Sequence, residues 1–140
     1  MIIIKKEILD KINAHGEQDF PNECCGFLFG EEKDTRIIDQ VLPAQNYKEG
    51  DQRRRFEISP REYLEAERYA LENQTQLLGI YHSHPNHPAI ASDHDLRQAL
   101  PYFSYVIISV HEAKAVDIKS WKLREEARIF EEEQVEINSF

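Results

Sequence analysis

Apolar and polar residues recur along the chain at two different spacings, which together predict a mixture of helices and strands. Ile8 and Ile12 lie at helical spacing with charged residues between them, so a helix is predicted that fades between residues 16 and 21. Ser59 and Glu62 have the spacing of a capping box, with a proline at the first helical position, which predicts the start of a second helix. The predicted helices therefore cover about residues 8–16, 59–73 and, more briefly, 92–100.

Short apolar runs bounded by glycine, proline or polar residues predict the strands. The run Leu77–Tyr81 is nearly all apolar, which is typical of a central strand, and the runs 105–110 and 115–123 predict a hairpin. The predicted strands are 2–4, 24–30, 36–42, 56–58, 76–82, 105–110, 115–123 and a last one within 127–137. Strands come in runs with helices between them, so the pattern predicts an α+β fold with a mixed or mostly antiparallel sheet and two long helices packed on it.

The composition is that of one globular domain. The chain has 140 residues, of which 41% are hydrophobic and 31% charged. Its net charge of −9 disfavours a nucleic-acid or anionic-membrane binder, because neutralising phosphates needs a basic face. The longest apolar stretches are too short to cross a bilayer, so we expect no membrane contact.

The two cysteines indicate a reducing compartment. Cys24 and Cys25 are adjacent, and their Cα atoms, ~3.8 Å apart, are closer than an ordinary disulfide allows. The apolar start of the chain is too short for a signal-peptide core. We therefore expect a cytoplasmic protein with free thiols.

The segment after the central strand carries the strongest chemical pattern. His82 and His84 are two residues apart at the end of that strand, which places both imidazoles on one face. Asp95 falls in the first turn of the next helix, from which its carboxylate can swing back as a third ligand. Two histidines and one carboxylate suit Zn²⁺, with a fourth position left for a water that becomes a nucleophile at neutral pH. A hydrolase also needs a base for that water, and Glu23, just before an apolar strand, is the best candidate.

These residues resemble the JAMM motif of the MPN (Mov34/PAD-1) metallopeptidases. The motif is His82-Ser83-His84-Pro85, six residues, then Ser92-x-x-Asp95, and the run Pro21–Gly30 is similar to the family's upstream glutamate segment. The resemblance runs from near residue 8 to about residue 123. It implies one zinc ion per chain on the two histidines and Asp95, with Glu23 as acid/base and Ser92 steadying the oxyanion. It also implies a curved sheet flanked by helices. The length predicts a single domain over residues 1–140, and the run of glutamates after Leu123 predicts an acidic, solvated tail at about 125–140.

The resemblance also implies a class of substrate. Many members cut peptide or isopeptide bonds after the Gly-Gly tail of ubiquitin-like proteins, and short bacterial members remove a residue attached to the C-terminus of small sulfur-carrier proteins with ubiquitin-like folds. Since the chain is little more than the catalytic domain, we take that reaction as the first hypothesis and general isopeptidase or small-peptide cleavage as the second. The alternative from another class is a non-catalytic MPN scaffold, although such scaffolds lack a ligand or the glutamate and this chain has all of them. The oligomeric state is open.

Several further residues have two interpretations. Arg53, Arg54 and Arg55 are either a solvated loop or a docking patch that binds an acidic substrate, and the stretch 46–58 is the candidate edge on which an extended substrate lies. Cys25 is either a fourth ligand or, as we favour, a small buried hydrophobe. His87 is expected to rim the site without binding metal.

Overall fold

The apolar runs form eight strands, and all of them join one mixed sheet in the computed structural model, which describes residues 1–139. The strands are β1 (Ile2–Lys5), β2 (Cys25–Glu32), β3 (Arg36–Ala44), β4 (Gln76–Pro85), β5 (Ser104–His111), β6 (Lys114–Arg124), β7 (Ile129–Glu133) and β8 (Val135–Asn138). The helices are α1 (Lys6–Asp19), α2 (Pro60–Glu72) and α3 (Asp93–Gln98). The predicted α+β class, with two long helices, is confirmed. No helix within residues 1–139 has the length and apolar character needed to cross a membrane.

The sheet is curved until its two edges approach each other. Its strand order is β7-β6-β5-β4-β2-β3-β1-β8, so β7 and β8 occupy opposite edges although only Gln134 separates them in the chain. The backbone N–H of Ile2 donates to the Gln134 carbonyl at 2.9 Å, which ties this crossing to β1. β4 pairs in parallel with β5 and antiparallel with β2, and it therefore lies in the middle of the sheet.

Each face of the sheet is covered by one long helix. Ile8 and Ile12 of α1 pack with Tyr81 of β4 in one apolar cluster. Ala66 of α2 packs with Ile80 of β4 in a second cluster on the other face. Because side chains alternate along a strand, residues 80, 82 and 84 share the α2 face, and the site lies there.

The predicted strand 56–58 is wrong. Phe56 and Ile58 are buried in the α2-side cluster, but their segment is irregular and joins no strand of the sheet. Its backbone hydrogen bonds go to the neighbouring loop: Tyr47 N–H donates to the Glu57 carbonyl, and Glu57 N–H donates to the side-chain oxygen of Asn46. The alternation of apolar residues therefore reflects the burial of Phe56 and Ile58 and does not mark a strand. The stretch 46–58 is a loop rather than a sheet edge.

The acidic end of the chain is part of the sheet. The single strand predicted within 127–137 is two strands, so residues 129–138 are not a free tail. Their acidic side chains are exposed, as expected, except that of Glu133. The side chain of Glu133 is 7% exposed. It accepts hydrogen bonds of 2.9 Å from the hydroxyls of both Ser104 and Ser120. Position 140 of the expected tail lies outside the described residues.

Candidate metal centre

β4 carries both histidines on a fixed backbone. The strand extends to Pro85, three residues beyond its predicted end at residue 82, and pairs with β5 along that extension. His82 lies opposite Ile107 and His84 opposite Ser109, and both imidazoles are buried. The two rings therefore project from the end of a central, paired strand, as the sequence predicted.

His82, His84 and Asp95 bring three ligand atoms to one point. The Nε2 atoms of the two histidines are 3.2 Å apart. Asp95 Oδ1 lies 3.3 Å from His82 Nε2, and Asp95 Oδ2 lies 3.2 Å from His84 Nε2. A tetrahedral zinc ion with bonds of ~2.0–2.1 Å separates its ligands by about 3.3 Å, so this triangle of side chains has the spacing that a zinc site needs.

Asp95 reaches the histidines because of the way α3 begins. Ser92 is the N-cap, and its hydroxyl oxygen accepts a hydrogen bond of 3.1 Å from the Asp95 N–H. The Ser92 N–H donates in return to the Asp95 carboxylate at 2.9 Å, which completes a capping box. The box turns the carboxylate back towards β4, so a local rule of helix initiation places the third ligand.

The hydrogen bonds around His84 select its ligating nitrogen. His84 Nδ1 lies 2.8 Å from the Pro88 carbonyl oxygen, which only an N–H can approach as a donor. The lone pair is therefore on Nε2, the nitrogen that faces His82 and Asp95. His82 Nδ1 has no hydrogen-bond partner among residues 1–139, and the His82 ring stacks on Phe56 with centroids 4.4 Å apart.

Burial and charge set the protonation of these ligands. Burial lowers the pKa of His82, which favours the neutral imidazole that a metal requires. Burial alone would raise the pKa of Asp95. The charge of His82 and hydrogen bonds from His82, His84 and the Ser92 amide outweigh it and hold the pKa well below its usual range. The set thus presents an ionised carboxylate beside the His82 imidazole, whose neutral form is favoured by burial.

Glu23 faces the same point from β2. Cys25 pairs with His82 in the antiparallel ladder, and continuing that register places Glu23 opposite His84. One ligand atom each from Glu23, His82 and His84 all lie within 4.8 Å of one another. Glu23 Oε1 is buried and has no hydrogen-bond partner within residues 1–139. Burial and the negative charges of Asp95 and Asp51 raise the pKa of Glu23 to about 9.

Two hollows meet at the candidate metal ligands and Glu23. The first, which we call the Glu23 cleft, has a volume of about 540 Å³ and is lined by Glu23, Arg54, His84, His87, Pro88, Ile90 and Ser92. The second, the Phe56 hollow, has a volume of about 340 Å³. Its lining includes Phe56, Ile58, Tyr63, His82, Asp95, Leu100 and Tyr105. The candidate metal ligands therefore lie between a cleft that contains the Glu23 carboxyl group and a hollow with aromatic walls.

The remaining residues predicted from the sequence lie in different surroundings. Arg54 lines the Glu23 cleft, and the Arg55 guanidinium lies 3.3 Å from His94 Nδ1. The Arg53 backbone N–H donates to Asp51, and the side chains of all three arginines are exposed. Cys25 packs in the α2-side apolar cluster, as favoured, and burial raises the pKa of its thiol. His87 lines the cleft, as expected of a residue at the rim.

Three contributors were not predicted from the sequence. They are the Pro88 carbonyl, the Phe56 ring, and the Asn46 side chain that bonds the backbone of Glu23. Phe56 was assigned to a strand, and its apolar character in a polar loop was the available signal. The Pro88 carbonyl is a backbone group that any residue supplies, and Asn46 and Glu23 are far apart in sequence, so neither contact has a local pattern.

Comparison with known proteins establishes the family. The family model described as prokaryotic homologs of the JAB domain matches residues 5–124. The chain belongs to this family. As a JAB domain protein it is a short prokaryotic member of the JAMM/MPN group, which the motif resemblance predicted.

Curated relatives of this JAB domain protein carry peptidase names. It is 33% identical over 109 residues to a desampylase of Pyrococcus furiosus, covering 78% of this chain and 72% of the relative. It is 27% identical over 125 residues to the CysO-cysteine peptidase of Mycobacterium tuberculosis, covering 88% and 83%. A probable TtuB-protein conjugate cleaving protease of Thermus thermophilus is 27% identical over 115 residues, covering 82% and 74%.

Solved structures share the fold. A solution structure of a Desulfitobacterium hafniense protein superposes with a TM-score of 0.87 at 34% identity, covering 100% of this chain and 94% of the other. The crystal structure of a JAB1/MPN domain protein from Archaeoglobus fulgidus gives a TM-score of 0.64 at 18% identity, covering 97% and 98%. The second likeness concerns the fold alone.

Proposed function

We propose that this JAB domain protein is a zinc metallopeptidase that hydrolyses a peptide or isopeptide bond at the C-terminal tail of a small ubiquitin-like or sulfur-carrier protein. The observation that carries the proposal is the triangle of His82, His84 and Asp95, whose 3.2–3.3 Å edges suit tetrahedral zinc. The names of the relatives support the substrate class, since they refer to CysO and TtuB conjugates and to desampylation.

The donor set fits one zinc ion per chain. His82 Nε2, His84 Nε2 and the Asp95 carboxylate supply two nitrogens and one oxygen, the type of set found in catalytic zinc sites. A zinc ion held there supplies a Lewis acid and lowers the pKa of a bound water to ~7. The Pro88 carbonyl fixes the ligating nitrogen of His84, so this ring needs no rearrangement to bind the ion.

Glu23 carries the proton in this mechanism. Its carboxyl group is buried beside both histidines, with Oε1 free of other partners. It takes the proton from the attacking water and passes it to the leaving amine. Burial raises the pKa of Glu23 to about 9 in the metal-free protein, and a zinc ion held beside it would lower that pKa, which leaves the carboxylate able to accept the proton of the water. A non-catalytic scaffold has no use for a buried, unpaired carboxyl group at this position, which argues against that alternative.

Ser92 supplies a hydrogen-bond donor to the reacting carbonyl. Its oxygen already accepts from the Asp95 N–H, so the hydroxyl proton remains free to donate. The residue also lines the Glu23 cleft, where the substrate lies. Ser92 therefore steadies the oxyanion that forms when water attacks.

The rest of the proposal concerns substrate approach and compartment. With the stretch 46–58 in a loop, strand addition at that position has no support, and the tail lies in the two hollows instead. Arg53, Arg54 and Arg55 attract an acidic carrier towards the cleft. The free, buried thiols of Cys24 and Cys25 suit a reducing cytoplasm.

Mass spectrometry of small carrier proteins with C-terminal extensions tests the proposal. The zinc-loaded chain is expected to remove the extension, and Glu23→Gln is expected to slow the removal by about 10²–10⁴-fold while keeping the metal. Matched cleavage rates for the wild type and Glu23→Gln would contradict the mechanism. An absence of cleavage by zinc-loaded protein across such carriers would contradict the substrate class.

A further inference from the structure

Arg54 presents an unpaired cation to the Glu23 cleft. The chain has a net charge of −9, yet within residues 1–139 the Arg54 side chain forms no ion pair, hydrogen bond or ring contact. Its neighbour Arg55 contacts His94, while Arg53 is exposed and does not line the cleft. Of the three consecutive arginines, Arg54 alone is available to a group bound in the cleft.

The backbone around Arg54 is tied directly to Glu23. The Glu23 N–H donates to the Gln52 carbonyl at 2.7 Å. The Asn46 side-chain amide donates to the Glu23 carbonyl at 3.2 Å and to the Arg55 carbonyl at 3.1 Å. Gln52 is thus bonded directly to Glu23, and Arg55 is linked to Glu23 through Asn46. Arg54 lies between these two residues in the chain, so its backbone is held close to the proposed acid/base.

His87 lines the same cleft on a similarly anchored turn. Its N–H donates to the His84 carbonyl at 3.4 Å, and its carbonyl accepts from the Ser109 hydroxyl. The turn is held further by the Asn86 N–H, which donates to Val110 of β5 at 2.7 Å. The cleft thus has two nitrogen-bearing side chains on walls that are each bound to the site.

The proposed reaction determines which side of the cleaved bond lies in this cleft. Glu23 has to pass a proton to the leaving amine, so the released residue lies on the side of the ligands that Glu23 occupies. That side is the Glu23 cleft, with Arg54 and His87 in its lining. The acyl side of the bond then faces the Phe56 hollow, which His82 and Asp95 share.

We propose that Arg54, with His87 beside it, binds the free α-carboxylate of the residue that is released. An arginine guanidinium binds a carboxylate through two parallel hydrogen bonds. When a single amino acid is released, its α-carboxylate lies next to the leaving amine, and Arg54, which is unpaired within residues 1–139, is the cation available to bind it. The preferred substrate is then a carrier tail that ends in a single amino acid, rather than a carrier joined to a lysine side chain. The inference rests on the proposed function and specifies its leaving group.

Three substrates with the same carrier tail test the inference. One ends in a residue with a free carboxylate, one ends in the same residue as a carboxamide, and one is joined to a lysine side chain within a peptide. The wild type is expected to prefer the free carboxylate by about 10- to 100-fold in kcat/KM, the range for one charge-assisted contact. Arg54→Gln is expected to remove this preference through KM; a weaker attraction of the carrier lowers kcat/KM for all three substrates alike and cancels in their ratio. Arg53→Gln is the matched control and should keep the wild-type ratio of carboxylate to carboxamide cleavage.

A binding measurement separates this inference from the proposed function. Peptides labelled at the N-terminus and ending in carboxylate or carboxamide are titrated into zinc-loaded Glu23→Gln, with and without Arg54→Gln. Tighter binding of the carboxylate, lost with Arg54→Gln, supports the inference even where no substrate is cut. Equal binding and equal cleavage of carboxylate and carboxamide, or a wild-type preference for the lysine-linked substrate, would overturn it and leave the peptidase assignment standing.

Discussion

Asp95 performs two structural tasks with one carboxylate. It closes the capping box of α3 through the Ser92 N–H, and it faces both histidines. The ligand spacing was predictable from the sequence because both tasks depend on local rules, namely strand alternation and helix capping. The position of Glu23 depends on pairing between β2 and β4, and its place before an apolar run indicated that pairing only indirectly.

At this scale Glu23 makes the stability of the metal-free protein depend on pH. The carboxyl group has a pKa of 4.5 when unfolded and about 9 when folded, so the folded state holds a proton that the unfolded state releases. The contribution of Glu23 to the free energy of unfolding is therefore complete below pH 4.5 and is lost as the pH rises towards about 9. Urea unfolding of metal-free wild type from pH 5 to about 9 should show a decline that Glu23→Gln reduces. Identical pH profiles for the two proteins would mean that Glu23 is not buried as described.

The elements show where local sequence rules suffice and where they do not. The starts of α2 and α3 were predicted because a cap and its partner lie three residues apart. The strand at 56–58 was wrong because burial of Phe56 and Ile58 comes from packing under a loop, with no neighbouring strand to complete a ladder. The division between β7 and β8 was missed because it depends on the chain crossing between sheet edges.

Two serine caps separate stability from catalysis. Ser92 caps α3 beside the ligands, and Ser59 caps α2, where its hydroxyl accepts from the Glu62 N–H at 3.3 Å. Ser92→Ala and Ser59→Ala should each cost about 0.5–2 kcal/mol of unfolding free energy. Ser92→Ala should also slow cleavage by about 10²–10³-fold through loss of the oxyanion donor. Denaturation and steady-state kinetics measure both effects, and equal slowing by the two variants would leave Ser92 with a capping role alone.

Across the whole molecule, closure of the sheet depends on the acidic residues of its last strands. Glu133 accepts from Ser104 of β5 and Ser120 of β6. Ser104 also accepts from the buried guanidinium of Arg36 on β3, at 3.1 Å. Strands from opposite parts of the sheet therefore share one hydrogen-bond network. Composition alone predicted a solvated tail, since nothing in a run of glutamates marks the one that is buried.

Glu133 and Glu132 form a matched pair for testing this network. Glu132 is half-exposed, and its ion pair with Lys119 is long at 3.9 Å. Glu132→Ala should therefore change the unfolding free energy by less than about 0.5 kcal/mol. Glu133→Ala should cost about 1–3 kcal/mol, because it leaves buried hydroxyls without an acceptor. Both variants should keep their metal, since these strands lie outside the site. Chemical denaturation decides the matter, and equal costs would place the acidic segment in solvent after all.

The most direct test of the account is the zinc content of four purified proteins, measured by mass spectrometry of the metal after dialysis. The wild type and Glu23→Gln are expected to hold one zinc ion per chain, and Asp95→Ala is expected to hold none. The fourth protein, Asp93→Ala, removes another carboxylate from the first turn of α3 and should keep its zinc. Zinc retained by Asp95→Ala, or a wild type that cannot be loaded, would contradict the assignment of this site.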